Sequence, residues 1–115
     1  MDALYDRSGR VLGWTDQNGR IMTLQGRDWL WRDRNGNIYD YQGNHGGWWK
    51  SKHWRGPDGG VIAWQQGATN LGVIPPIPAF PPIPPIPSIE QIRLIPSIPP
   101  IPPIDKMGWS NPRAP

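Results

Sequence analysis

The decapeptide YDRSGRVLGW, residues 5–14, is the first of four related segments in the N-terminal half of the chain. Each copy joins an acidic turn and a glycine to a short apolar run; the others are TDQNGRIMTL at 15–24, RDRNGNIYDY at 32–41 and GPDGGVIAW at 56–64. Asp or Asn followed by Gly supplies the positive φ and the local hydrogen bonds of tight hairpin turns. Hairpins this short are not stable alone, so the repeat predicts four similar hairpins packed around a centre. We expect hairpin turns at Gly9, Gly19, Gly36 and Gly59.

Between the turn signals lie runs of four to six residues that are rich in β-branched and aromatic side chains. Several of these runs alternate apolar and polar residues, which is typical of strands in a meander, and no window has the 3.6-residue period of a helix. The predicted fold class is all-β: a small fourfold array of short antiparallel hairpins, followed by an extended polyproline II tail.

Composition divides the chain into two unequal parts. Seven of the eight Trp lie in residues 1–70, whereas residues 74–104 hold 13 of the 16 Pro and no Gly. We therefore predict a Trp/Gly-rich β-hairpin domain at 1–70, a junction at 71–73, an Ile/Pro tail at 74–107 and a C-terminal end at 108–115. A 70-residue domain buries only a modest core, and the chain has no Cys for disulfides. Association with other copies is the remaining way to stabilise it.

The series LYDRSGRVLGW, DRNGNIYDYQGNHGGWW and RGPDGGVIAW, with a tail of period three that closes in GWS, resembles the bacterial proteins called 4-fold β-flower domain proteins. The resemblance spans residues 3–110. It implies a compact fourfold array of hairpins. Because no activity is assigned to these proteins, the resemblance identifies no functional residues in this chain.

The tail has a strict period of three. Polyproline II has three residues per turn, so this period places every third side chain on one edge of an extended rod, which neither a helix nor a strand would do. A bend in SIEQIRLIPS, residues 88–97, would make two arms, but the unbroken phase favours one continuous rod. The predicted apolar stripe comprises Ile74, Ile77, Phe80, Ile83, Ile86, Ile89, Ile92, Ile95, Ile98, Ile101 and Ile104.

The length of the tail suggests what its stripe does. The 31 residues 74–104 would extend about 95 Å, whereas a compact 70-residue domain is only about 28 Å across. We therefore expect the tail to project from its own domain, or to fold back more than once, with the stripe buried between chains. Two alternatives stay open: a disordered Pro-rich linker, and a PxxP ligand for SH3-like domains, for which the usual basic flanking residue is missing.

Reactive groups with recognisable spacing are absent from the sequence. His45 and His53 have no metal-ligand spacing and are expected at the surface or in turns. The aspartates Asp6, Asp16, Asp33 and Asp58 fit the Asx positions of turns. We therefore predict no enzyme, no catalytic residue, no metal site and no cofactor.

Most of the Trp residues must form the core, because the hairpin domain has few other large apolar residues. Strand alternation places Trp29 and Trp31 on one face and turns one of Trp48 and Trp49 outwards. Trp48, Trp49 and Trp54 are the aromatic residues that we expect to contact a neighbour or a ligand.

Net charge is +3 and the pI is near 9.7, without the dense Lys/Arg blocks of a nucleic-acid-binding arm. The N-terminus has no secretory pattern, and no run of 18 apolar residues predicts membrane insertion. The compartment stays open between the bacterial cytoplasm and an exported or particle assembly.

The sequence therefore predicts a non-enzymatic structural protein whose Ile-striped tail packs between copies of itself to form an oligomer or filament. The alternative is a binding module in which the Trp residues and nearby Arg or Lys hold a glycan or, less favoured, a nucleic acid. In that alternative the tail is a tether or a Pro-rich peptide ligand. The basic residues considered for such a face are Arg27, Arg32, Lys50, Lys52 and Arg55.

Overall fold

The computed structural model describes residues 1–115, and its only regular elements are eight antiparallel β-strands that form a closed barrel. The all-β prediction is confirmed. Each strand pairs with its neighbours in the chain, and the first pairs with the last through Tyr5 and Trp64. No helix with the length and apolarity needed to cross a membrane is present. The strands are β1 (Asp2–Tyr5), β2 (Val11–Thr15), β3 (Arg20–Thr23), β4 (Asp28–Arg32), β5 (Asn37–Tyr39), β6 (His45–Lys50), β7 (His53–Arg55) and β8 (Val61–Trp64).

The barrel is built from four equivalent hairpins, the number that the repeat predicted: β1–β2, β3–β4, β5–β6 and β7–β8. All four shift register at the same place, where one extra residue forms a β-bulge. A bulge bends and twists its strand, which lets short strands curve into a small barrel. The extra residues, Leu12, Trp29, Gly46 and Ile62, are 17, 17 and 16 positions apart.

Alternate connections lie at opposite ends of such a barrel. We call the turns at Gly9, Gly26, Gly43 and Gly59 the tail-side turns, and those joining β2–β3, β4–β5 and β6–β7 the cleft-side turns. The four sequence copies mix the two ends, since Gly19 and Gly36 lie in cleft-side turns. Asp-x-x-Gly turns serve both ends, so turn chemistry alone does not reveal which hairpins are equivalent.

Inside the barrel, a large side chain faces a small residue on the partner strand in three of the four hairpins, and Ile21 facing Leu30 is the exception. Ile38 pairs with Gly47, and Trp54 pairs with Ala63. A Cβ at position 47 would lie 2.7 Å from Nε1 of Trp54, so the glycine makes room for the indole. Trp54 is fully buried and donates from Nε1 to the carbonyl of Gly46 at 3.0 Å. Its assignment as a contact aromatic is therefore wrong.

Trp29 and Trp31 do not share a cluster, contrary to the alternation argument. Trp29 is the extra residue of a bulge and packs edge-to-face on Trp54, with ring centroids 5.5 Å apart. Trp31 packs on Tyr39 at 5.1 Å. The bulge breaks the two-residue alternation on which the expectation rested.

Three equivalent indoles fasten neighbouring hairpins together. Trp14 donates to the carbonyl of Leu24, Trp31 to that of Asp40, and Trp64 to that of Asp6, at 3.1–3.2 Å. The last bond spans the barrel's closure between β8 and the first hairpin. The expectation that most Trp residues are structural is confirmed.

The tail runs around the barrel instead of projecting from it, so that expectation is wrong. Backbone amides of the tail donate to the carbonyls of the four tail-side glycines at 2.8–3.0 Å, and we call these four bonds the clamps. They recur every nine residues, which is three turns of polyproline II, although that conformation itself stays a prediction. The clamps join Ala79 to Gly9, Ser88 to Gly26, Ser97 to Gly43 and Lys106 to Gly59.

The dimensions fit one circuit. The molecule measures 36 × 36 × 22 Å. As polyproline II, residues 74–107 would span about 105 Å, close to the circumference of about 113 Å of a disk 36 Å wide. At the end of the circuit, Arg7 of the first hairpin donates to Asn111 at 2.7 Å. No helical turn forms at Ser88–Gln91 to divide the tail into two arms.

Candidate functional site

The eleven stripe residues are uncovered in the folded chain. Their exposed fractions lie between 84% and 101%, although the backbone that carries them is hydrogen-bonded to the barrel. Because the tail encircles the disk, its stripe forms a ring, which we call the apolar belt. The belt comprises Ile74, Ile77, Phe80, Ile83, Ile86, Ile89, Ile92, Ile95, Ile98, Ile101 and Ile104.

The clamps and the belt share one periodicity. Each clamp amide lies two residues after a belt isoleucine, as Ser97 does after Ile95. Because nine is a multiple of three, all four clamp residues occupy the same position in the three-residue period of the tail. The belt residues occupy a different position in that period and are not used by the clamps. A slip of one residue would turn prolines outwards and isoleucines towards the barrel.

The tail-side glycines permit the close approach. Gly43 has φ +91°, and a Cβ there would lie 2.7 Å from the carbonyl oxygen of Ile95. A larger residue would meet both the strained backbone and the tail. The carbonyl of Gly43 also belongs to a buried residue, so it depends on the tail for its partner.

Side chains form a second set of hydrogen bonds near the middle of the tail. Tyr41 donates from Oη to Glu90 at 2.6 Å, and Arg93 donates from Nε to the same carboxylate at 2.8 Å. Burial and the bond to Glu90 raise the pKa of Tyr41 well above its ordinary value. The amide of Gln91 donates to Asp28 at 2.9 Å. The charges of this stretch are thus used within the molecule.

Arg55 joins the barrel to both ends of the tail. Its guanidinium is 2% exposed, and it donates to the carbonyls of Gly59, Lys106, Asn70 and Leu71 at 2.6–3.0 Å. Asp105 lies 3.5 Å away as a partly exposed ionic partner. This buried cation is fully hydrogen-bonded, which is the condition under which burying it is tolerated.

His53 completes the Arg55 network and is not the surface or turn residue that we expected. It is 1% exposed, Nε2 accepts from Nε of Arg55 at 3.1 Å, and Nδ1 lies 3.3 Å from the carbonyl of Ser51. These contacts fit a neutral ring protonated at Nδ1. Burial lowers its pKa, and the neighbouring cations lower it further. His45 packs between Tyr39 and Trp48, and burial lowers its pKa too.

The two histidines predict a pH-dependent stability. A histidine kept neutral in the folded state binds fewer protons than the unfolded chain, whose histidines titrate near 6.5. The free energy of unfolding should therefore be constant between about pH 7.5 and 9, below the range in which Tyr41 would titrate in the unfolded chain, and fall as the pH drops through 6.5 towards 5. Each histidine can contribute a slope of up to about 1.4 kcal/mol per pH unit. Urea unfolding across this range measures it.

Single and double His→Gln variants at positions 45 and 53 separate the two contributions. The pH dependence above pH 5 should weaken in each single variant and disappear in the double variant. Stability that stays level or rises on acidification of the wild type would contradict the assignment.

A basic cleft of about 700 Å³ lies between the cleft-side turns. Two of its walls are guanidinium–indole pairs: Arg32 lies 4.9 Å over Trp49, and Arg93 of the tail lies 5.1 Å over Trp31. Lys50 lines the cleft beside them. We call this the basic cleft; its remaining lining residues are Gln17, Asn18, Gly19, Asp33, Arg34, Asn35, Gly36 and Ser51.

The other residues singled out in the sequence take separate positions. Trp48 and Trp49 are half-buried, and only Trp49 lines the basic cleft. Of the basic residues considered for a Trp/Arg face, Arg32 and Lys50 line the cleft, Arg55 is buried, and Arg27 follows a tail-side turn. Backbone amides donate to the carboxylates of all four predicted Asx residues, which are Asp6, Asp16, Asp33 and Asp58. The four predicted turn glycines all have positive φ, and they are Gly9, Gly19, Gly36 and Gly59.

No group of three His, Asp or Glu side chains is arranged to hold a metal ion. Sequence reasoning missed the clamps, although a signal for them exists. Ala79, Ser88, Ser97 and Lys106 interrupt the prolines every nine residues, and proline could not donate there. Arg55 carried no comparable signal.

Four equivalent hairpins closed into one barrel and encircled by their own C-terminal tail define a protein of fourfold pseudosymmetry. The match to a family model agrees with this architecture: the chain belongs to the 4-fold beta flower protein family, whose model covers residues 2–114. No curated protein and no solved structure matches the chain.

Proposed function

We propose that this protein is a structural, self-assembling protein in which the apolar belts of neighbouring copies pack together to form an oligomer or filament. The observation that carries the proposal is the exposure of all eleven belt side chains on a docked backbone. Contiguous apolar patches of this extent are uncommon on soluble monomers and usually mark interaction sites.

The free energy available from covering the belt is of the same size as the cost of association. Burying one Ile or Phe side chain contributes roughly 1.5–3 kcal/mol. Covering four on one copy therefore contributes about 6–12 kcal/mol, comparable with the estimated 4–15 kcal/mol that association costs. Prolines already restrict the tail backbone, and the clamps hold it in place. The tail therefore loses little further conformational entropy when belts meet.

A second copy is the occupant that best suits the belt. Between Ile74 and Ile104 the only charged residues are Glu90 and Arg93, and these pair with each other at 2.8 Å. A charged partner would find no complement along this surface. Another belt presents the same spacing of about 9 Å between successive side chains, so two belts can interdigitate. Because the belt surrounds the disk, one copy can contact several neighbours, which suits open assemblies.

Light scattering on a sizing column tests the proposal. We expect the full chain to exceed its monomer mass of 13.0 kDa, and to do so at high salt, because apolar packing is not screened. A triple Ile→Gln variant at positions 83, 92 and 101 changes belt residues away from the clamps. It should shift towards the monomer while keeping its thermal stability, since these side chains are exposed.

Leu24→Gln/Leu94→Gln is the matched control, because it makes the same kind of change at exposed apolar residues outside the belt phase. It should leave the mass unchanged. A wild-type chain that is monomeric at about 100 µM, or a triple belt variant that assembles as the wild type does, would refute the proposal.

A further inference from the structure

The basic cleft is separate from the belt and points to a ligand. We propose that it binds the phosphate group of a small phosphorylated molecule, held between Arg32, Arg34 and Arg93 on the cleft side of the barrel. The inference goes beyond the assembly function and does not depend on it.

The charge of the cleft is unbalanced. Four cationic side chains and one carboxylate line it, and two of the cations already have ionic partners outside the cleft: Lys50 pairs with Asp105, and Arg93 pairs with Glu90. The lining carboxylate, Asp33, accepts the backbone amides of Asn35 and Asn37 at 2.9 Å each, so the turn already uses it. Neither Arg32 nor Arg34 forms an ion pair. An oxyanion would supply the missing countercharge.

Arg32 lines the cleft and has one unused donor. Its guanidinium lies over Trp49, and Nη2 donates to the carbonyl of Asp16 at 3.3 Å, which fixes its position. Nη1 is buried and has no hydrogen-bond partner. Burial lowers the pKa of Arg32, yet an arginine remains cationic at neutral pH. A buried unpaired donor on a cation is costly, and a phosphate oxygen is its strongest natural partner.

Arg93 is also held in place before any ligand arrives. It lies over Trp31 and donates to Glu90 and to the carbonyl of Asn18, at 2.8 and 2.9 Å. Asn18 and Asn35 line the same cleft, and asparagine side chains can act as neutral donors. Rigid guanidinium groups lose little freedom on binding, which favours affinity.

The cleft is suited to a small molecule more than to a polymer or a sugar face. Its volume of about 700 Å³ falls in the range of small-ligand sites. Both indoles already pack against guanidinium groups, so they are poorly available for stacking on bases or sugars. Only two of the thirteen lining residues are hydrophobic, which favours a highly charged ligand.

Calorimetric titration of the full chain with pyrophosphate at low salt tests the proposal. We expect saturable binding with one site per chain. Arg34→Gln removes an unpaired cation, and Arg32→Lys keeps the charge but replaces the planar donor group. Each should weaken binding about tenfold or more. Arg27→Gln removes one exposed arginine away from the cleft and should leave the affinity within about twofold.

The proposal is overturned if pyrophosphate shows no saturable binding at millimolar concentration, or if Arg27→Gln and Arg34→Gln weaken binding equally. A single-stranded oligonucleotide that binds tighter than pyrophosphate and loses affinity equally in all three variants would also overturn it, in favour of diffuse attraction to a polyanion. The triple Ile→Gln belt variant should bind pyrophosphate as the wild type does, so the two proposals can fail separately.

Discussion

Replacing Arg55 with methionine is expected to lower the free energy of unfolding by about 3–5 kcal/mol, the cost typical of breaking a buried ionic network. Methionine fills similar space but leaves Nε2 of His53 and the carbonyls of Gly59, Asn70 and Leu71 without their donor. A small domain has roughly 5–15 kcal/mol in total, so this is a large share. Urea unfolding followed by Trp fluorescence measures it.

Two further variants show whether geometry or charge is responsible. Arg55→Lys keeps the charge but has three donors instead of five, so it should recover only part of the loss. Arg27→Met removes an exposed arginine and should change stability by less than about 0.5 kcal/mol. If Arg55→Met costs under about 1 kcal/mol, the network is not what joins the barrel to the tail.

A triple variant with proline at positions 79, 88 and 97 is expected to release the tail. Proline removes three clamp donors and leaves the buried carbonyls of Gly9, Gly26 and Gly43 without partners. At about 1–3 kcal/mol for each unsatisfied group, the loss is about 3–9 kcal/mol. Urea unfolding of the variant and the wild type measures the difference.

Leu94→Pro is the control for the clamp variant. Position 94 lies in the same phase of the tail as the clamps, but its amide makes no backbone hydrogen bond. Proline should therefore be neutral there, and the chain already has proline at positions 82, 85, 100 and 103 of that phase. Equal destabilisation by Leu94→Pro and by Ser97→Pro alone would contradict the clamp assignment.

The barrel was predictable because its signals are local. Asx residues such as Asp16 and glycines such as Gly36 determine turns within four residues, and short apolar runs between turns determine strands. The count of hairpins followed from that spacing. The spacing did not reveal which hairpins are equivalent, because the same turn chemistry occurs at both ends of the barrel.

The length of the tail as a straight rod did not predict its position. A straight rod of about 95 Å is far longer than a domain about 28 Å across. The relevant comparison is with the circumference of that domain, which is about 88 Å by the same relation. The signal that was available is a non-proline residue at every ninth position of the tail, as at Ser88 and Ser97. It indicates contacts between the tail and the four hairpins of its own barrel.

The aromatic contacts were the least predictable part of the site. Alternation fails wherever a bulge inserts a residue, as at Trp29, and sequence does not show the bulge. Trp54 fits the interior because Gly47, on the neighbouring hairpin, leaves space for its indole. The cleft needs Arg93, 61 positions after Arg32 in the chain, and only the circuit of the tail brings them together.

Amide hydrogen exchange in the tail is the most direct test of the encircling belt. The prolines leave few amides there, so NMR can follow them one by one. We predict that the clamp amides of Ser88 and Ser97 exchange at least about a hundredfold more slowly than the unbonded amide of Leu94. If all three amides exchange at the rate of a free peptide, the tail is a solvated linker, and the belt and the assembly proposed from it are both contradicted.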